Sequence, residues 1–104
     1  MADYVKVGTV SDFQPGVIKG CFINGEEVAV VNWNDRFFAF ANVCTHLGVE
    51  LSSGYVEGEK FVVCGLHDSF YDMETGQHLE GPASADIPVY DVRIEGDDVL
   101  VATE

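Results

Sequence analysis

Cys44-Thr45-His46-Leu47-Gly48 and, after a short interval, Cys64-Gly65-Leu66-His67 are the stretches from which the rest of this sequence can be read. Each pair supplies one thiolate and one imidazole, and the four groups together suit either zinc or an iron–sulfur cluster. A lone cysteine is usually a small apolar filler and a lone histidine is usually solvated. Two pairs of matching form are seldom incidental. The first pair is separated by a single residue, whereas roughly two to four residues separate the paired ligands of a zinc finger, and each half mixes Cys with His. Both features count against a finger.

The text around these pairs is that of strands and turns. Tyr4–Val7 is rich in β-formers, Pro15-Gly16 is a turn, and Val17–Ile23 and Glu27–Trp33 flank Asn24-Gly25, a strong hairpin signal. Asn34-Asp35-Arg36 turns the chain into Phe37–Asn42, which leads to the first pair. Gly54–Val56 and Lys60–Val63 lie either side of Glu57-Gly58-Glu59, and the second of them leads to Cys64. Ser69–Asp72 and Gln77–Leu79 surround Glu74-Thr75-Gly76, and Ile87–Ile94 and Val99–Ala102 close the chain as a hairpin around Gly96-Asp97-Asp98. No stretch carries helical periodicity. The expectation is one all-β domain over residues 1–104, an antiparallel sandwich or barrel with a small subdomain over about 43–83 that holds the metal.

Composition narrows the function classes. Eighteen acidic against five basic side chains give a formal net charge of −13 in 104 residues. Such a surface repels nucleic acid and anionic lipid and suits a partner with a basic docking face. Of the three cysteines, two are candidate ligands, so no intramolecular disulfide is expected, which fits a reducing cytoplasm. No apolar run is long enough to cross a bilayer, and the N-terminal residues lack the pattern of a signal peptide. Cys21 reads as a packed side chain and His78, outside both motifs, as a solvated surface residue. No nucleophile–base pair or nucleotide loop is present, so no catalytic residue is assigned.

The pattern C-T-H-L-G, then C-x-x-H followed by Ser69, Tyr71, Asp72, Thr75 and Gly76, resembles the Rieske [2Fe–2S] proteins, and the small soluble oxygenase-type Rieske ferredoxins in particular. The likeness runs from about Val43 to the C-terminus. It implies one [2Fe–2S] cluster, with Cys44 and Cys64 on the inner iron and His46 and His67 on the outer one. It also implies that Gly81-Pro82-Ala83 forms a loop covering the cluster, and that Ser69 and Tyr71 donate hydrogen bonds that tune it. Histidine in place of two thiolates removes negative charge, so an electron is accepted more easily than by an all-cysteine cluster.

Proteins of this kind pass single electrons from a flavin-dependent NAD(P)H reductase to a terminal oxygenase, often one acting on aromatic rings. The resemblance implies that role here. Respiratory Rieske proteins carry in addition a disulfide between the two loops, and the matching positions here are Val49 and Leu66. Two departures stand out: Gly65 replaces a common proline, and Asp68 follows the last ligand where glycine is usual. An ionised Asp68 beside His67 favours the protonated ring. The alternatives are a small Rieske subunit of a nitrite reductase-like complex and a zinc-binding structural domain.

Overall fold

A computed structural model of the chain describes residues 4–23, 25–42, 51–63, 70–80 and 86–102. Ten strands account for most of them: β1 Tyr4–Thr9, β2 Ile18–Ile23, β3 Glu26–Trp33, β4 Arg36–Ala41, β5 Tyr55–Glu57, β6 Phe61–Val63, β7 Phe70–Asp72, β8 His78–Glu80, β9 Val89–Glu95 and β10 Asp98–Ala102. Two sheets result, one of six strands in the order β1-β10-β9-β4-β3-β2 and one of four in the order β5-β6-β7-β8. All the strand pairings are antiparallel. The all-β expectation holds, and the large sheet curls towards a barrel beside the small one.

Local chemistry explains the tight connections. β3 turns into β4 through Asn34 and Asp35, both at positive φ (53° and 62°), which is the pair of left-handed residues that a two-residue hairpin turn needs. Asn and Asp tolerate that region better than other residues with a side chain. β2 and β3 pair from Ile23 opposite Glu26, as the Asn24-Gly25 signal requires, with Asn24 itself outside the described residues. β9 begins at Val89, two residues later than the alternation predicts, because Pro88 has no N–H to give to a ladder. Its carbonyl still accepts a hydrogen bond from the Ala41 N–H at 2.9 Å. Two 3₁₀ turns, Val10–Asp12 and Leu51–Ser53, were not expected from the pattern.

The centre of the large sheet, strands β3 and β4, is buried on both faces. Ala29, Val31, Phe38 and Phe40 face the small sheet and pack with Leu51, Val62, Tyr71, Met73 and Ile87. Val28, Val30 and Ala39 face the other way, with Phe13, Ile23, Val99 and Val101. Residues 28–31 are all wholly buried, which accounts for an unbroken apolar run where a one-sided strand would alternate. Each large side chain so buried contributes about 1.5–3 kcal/mol. Cys21 sits part-buried against the second cluster, and desolvation pushes its thiol pKa up, away from the reactive thiolate. The reading of Cys21 as a packed side chain stands.

Candidate metal centre

Register in the small sheet fixes where the motif-bearing segments attach. Tyr55 pairs with Val63, Val63 with Phe70 and Phe70 with Glu80, so these four residues form one row across one end of the sheet. Residues 64–69 connect Val63 to Phe70 in that row. Residues 81–85 leave from Glu80, and residues 43–50 return to the chain at Leu51, just ahead of Tyr55. Both flanks of residues 64–69, the flank that precedes 81–85 and, through Leu51–Gly54, the flank that follows 43–50 therefore lead to one end of one short sheet, while Asn42 and Asp86 lie towards β4 and β9 of the large one. Cys44, His46, Cys64, His67, Asp68, Ser69, Gly81, Pro82 and Ala83 lie in those segments, outside the described residues.

The first segment is clasped at its base by Asn42, a side chain that the sequence pattern does not single out. Asn42 is only 3% exposed. Its Nδ2 donates to Glu27 Oε2 at 2.9 Å and to Ser52 Oγ at 3.0 Å, while its Oδ1 accepts from the Ser52 N–H at 2.7 Å. One amide thus joins the residue before the segment to a residue just after it, and both to β3. Gly20 on the edge strand makes room for the clasp: a Cβ there would come within 3.1 Å of Asn42 Nδ2. An Asn at the end of a strand, ten residues from a Ser, has no local signature. Only the fold brings them together.

The third segment is held in a similar way. The His78 N–H on β8 donates to Asp86 Oδ1 at 2.8 Å, and the Ile87 N–H donates to the Gly76 carbonyl at 2.9 Å. Gly76 has φ +79°, and a Cβ at that position would lie 2.0 Å from the Ile87 carbonyl oxygen. No other residue allows this approach without moving backbone.

Tyr71 is the one expected tuning residue within the described set. Its side chain is wholly buried, in the cluster between the two sheets. His78 stands directly opposite it on β8, the ring centroids 5.7 Å apart and tilted by 57°. The expectation of a solvated His78 is therefore corrected: its Nε2 is buried and has no hydrogen-bond partner among the described residues. His78 reads as solvated because it stands outside both motifs, and a strand as short as β8 does not reveal which face is covered.

Opposite the row of segment flanks, the small sheet is tied to the large one by polar contacts. Trp33 Nε1 donates to the Gly58 carbonyl at 2.8 Å, and Asn34 Nδ2 to the Glu59 carbonyl at 3.0 Å. Glu74 accepts from Arg36 at 2.6 Å and from Lys60 at 3.0 Å, and Lys60 also reaches Asp72 at 3.3 Å. Lys60 and then Arg36 hold the Glu74 carboxyl below the usual glutamate value, and Glu74 and then Asp72 raise the Lys60 ammonium. A cavity of about 210 Å³ lined in part by Arg36, Met73, Glu74 and Tyr90 lies at this far end, away from the motif segments. Among the described residues no three His, Cys, Asp or Glu side chains group as a metal site. No described helix is long and apolar enough to cross a membrane.

Comparison with known proteins bears on what this arrangement holds. The Rieske [2Fe-2S] domain description matches residues 3–91. The ferredoxin component of the naphthalene 1,2-dioxygenase/salicylate 5-hydroxylase systems of a Ralstonia species is 31% identical over 102 residues, covering 98% of this chain and 97% of that one. The ferredoxin of carbazole 1,9a-dioxygenase from Nocardioides aromaticivorans IC177 superposes with a TM-score of 0.91 at 32% identity, over 97% of this chain and 98% of that one. A structure described as a complex of reduced oxygenase and oxidized ferredoxin in carbazole 1,9a-dioxygenase gives 0.88 at 30% identity, over 97% and 94%.

Proposed function

Since this chain belongs to the Rieske [2Fe-2S] domain family, we propose that it carries single electrons from an NAD(P)H-dependent, flavin-containing reductase to a terminal oxygenase acting on aromatic rings. We assign the cluster ligands to Cys44, His46, Cys64 and His67, with Ser69 and Tyr71 as hydrogen-bond donors toward the cluster and Gly81-Pro82-Ala83 as its cover. Two thiolates and two imidazoles are the donor set that a Rieske cluster requires. The observation that carries the assignment is the shared end of the small sheet: residues 64–69 join two of its strands there, residues 81–85 leave from it, and residues 43–50 lead into it through Leu51–Gly54. When bound, the cluster supplies a site that accepts and returns one electron.

The protein's own residues supply rigidity and access. Strands clamped to a packed core give a rigid framework, and a rigid framework keeps the cost of electron exchange low for a group mounted on it. The clasp at Asn42 and the bond from His78 to Asp86 hold the bases of two of the segments. Transfer by such a carrier requires approach of a partner to that end of the sheet. The net charge of −13 favours a partner whose docking face is basic. The partner in question is the terminal oxygenase, as in the oxygenase–ferredoxin complex cited above. We read residues 1–104 as one domain, of which about 43–83 bind the cluster.

Purified protein reconstituted with iron and sulfide is expected to bind two irons per chain and to absorb visible light. Cys44→Ser and Cys64→Ser are expected to be colourless and less stable, because a ligand bond contributes to folding as well as to redox function. Full iron occupancy and an unaltered spectrum in either variant would place the ligands elsewhere. A colourless, zinc-loaded parent would overturn the electron-carrier reading altogether.

A further inference from the structure

We propose that His78 is a positioning residue for electron transfer: it sets the place of the Tyr71 hydroxyl and through it the reduction potential. The inference rests on the reading of Tyr71 as a hydrogen-bond donor toward the cluster. Register provides the first argument. Val56, Val62, Tyr71 and His78 form a single row across the small sheet, each directly opposite the next. Side chains so paired share a face. Tyr71 therefore has Val62 on one side and His78 on the other, and β8 is the last strand of this sheet.

A bulge provides the second. Phe70 pairs with Glu80, so regular register would set Leu79 opposite Tyr71; the shift between Phe70 and Tyr71 brings His78 there instead. Leu79 is left 45% exposed. An inserted residue re-aims the side chains beside it, and here the effect is to exchange an aliphatic neighbour for an imidazole. The position is then fixed from the backbone, because the His78 N–H is held by Asp86 Oδ1 at 2.8 Å and the Asp72 N–H by the Gln77 carbonyl at 2.9 Å.

The third argument concerns cost. His78 Nε2 is buried without a partner among the described residues, and a buried ring nitrogen left so is less favourable than an apolar side chain of the same size. A residue serving only to fill the edge of the core would be better as leucine. What an imidazole offers instead is a flat, rigid ring, 5.7 Å from that of Tyr71 and inclined to it by 57°. It closes the side of the Tyr71 ring that faces the sheet edge and leaves that ring one orientation.

Voltammetry of the cluster-loaded protein tests this, with iron content and visible spectrum as controls. Tyr71→Phe is expected to lower the potential. His78→Ala is expected to lower it by at least about half of that shift, and to add nothing when combined with Tyr71→Phe, the coupling expected of residues acting as a unit. His78→Phe, which restores a ring, is expected to return the potential to that of the parent. Should His78→Ala not retain the cluster, His78→Leu takes its place under the same criteria. A His78 shift of equal size with and without Tyr71→Phe, or no shift where Tyr71→Phe has one, overturns the proposal. An unmoved potential in Tyr71→Phe itself removes the tuning role of Tyr71 and this inference with it, and leaves the electron-carrier function standing.

Discussion

Replacing Asn42 by alanine deletes the clasp at the base of the first motif segment, and its bonds to Glu27 and Ser52 set a lower bound on the loss. The bond from Nδ2 to the Glu27 carboxylate at 2.9 Å involves a charged acceptor and contributes about 1.5–3 kcal/mol. The bonds with Ser52, from Nδ2 to Oγ at 3.0 Å and from its N–H to Oδ1 at 2.7 Å, contribute about 1 kcal/mol each. Glu27 is only half-buried, so its freed carboxylate regains water and the lower end applies to it. The expected cost is about 3.5 kcal/mol, a large share of the roughly 5–15 kcal/mol that holds a domain of this size folded.

A loss of that size lowers Tm by about 10–20 °C in a chain of this length. Thermal melts of the cluster-loaded protein, followed by far-ultraviolet circular dichroism and by visible absorption, read both the fold and the cluster. The two signals are expected to fall together, because the residue lost ties the motif segment to β3. Ser52→Ala keeps its N–H to the Asn42 side chain and loses only the hydroxyl, so it is expected to cost about 1 kcal/mol. An Asn42→Ala protein that melts within about 3 °C of the parent, or one no less stable than Ser52→Ala, would refute the clasp.

Gly76→Ala is expected to be among the most damaging single changes to the framework. The new Cβ would stand 2.0 Å from the Ile87 carbonyl at a φ of +79°, so the turn after β7 and the chain entering β9 must separate; we expect a loss above about 4 kcal/mol, read as a collapse in soluble yield or denaturant midpoint. A midpoint close to that of the parent would mean that the close approach does not matter. Glu74→Gln tests the ion pairs at the far end. Lys60 and Arg36 hold the Glu74 carboxyl below its ordinary value, so its stabilising contribution is present above the unfolded-state pKa and is lost as pH falls through the lower folded-state value. The variant should be less stable than the parent near neutrality and match it in strong acid. Urea midpoints across that range check the sign, and a difference that grows on acidification contradicts it.

What the sequence determined by itself was whatever depends on neighbours along the chain. The Cys44/His46 and Cys64/His67 pairs named a chemistry and a family, and Asn24-Gly25-Glu26, Asn34-Asp35-Arg36 and Gly96-Asp97-Asp98 marked turns, the last residue of each proving to open the next strand, around strands whose ends fall within a residue or two of their expected places. These signals are local: a turn needs particular φ values at two positions, and a ligand pair needs two side chains within a few residues. Tertiary structure decided the rest. Residues 28–31 alternate between two separate cores, a fact that four apolar residues in a row conceal. Asn42 gains its purpose from Ser52 and Glu27, and a part-buried His78 has its Nε2 covered at a place opposite Tyr71, which a one-residue bulge selects. Each of these depends on register between distant strands, and register is set by the sum of packing over the whole sheet; no single stretch of sequence contains that sum.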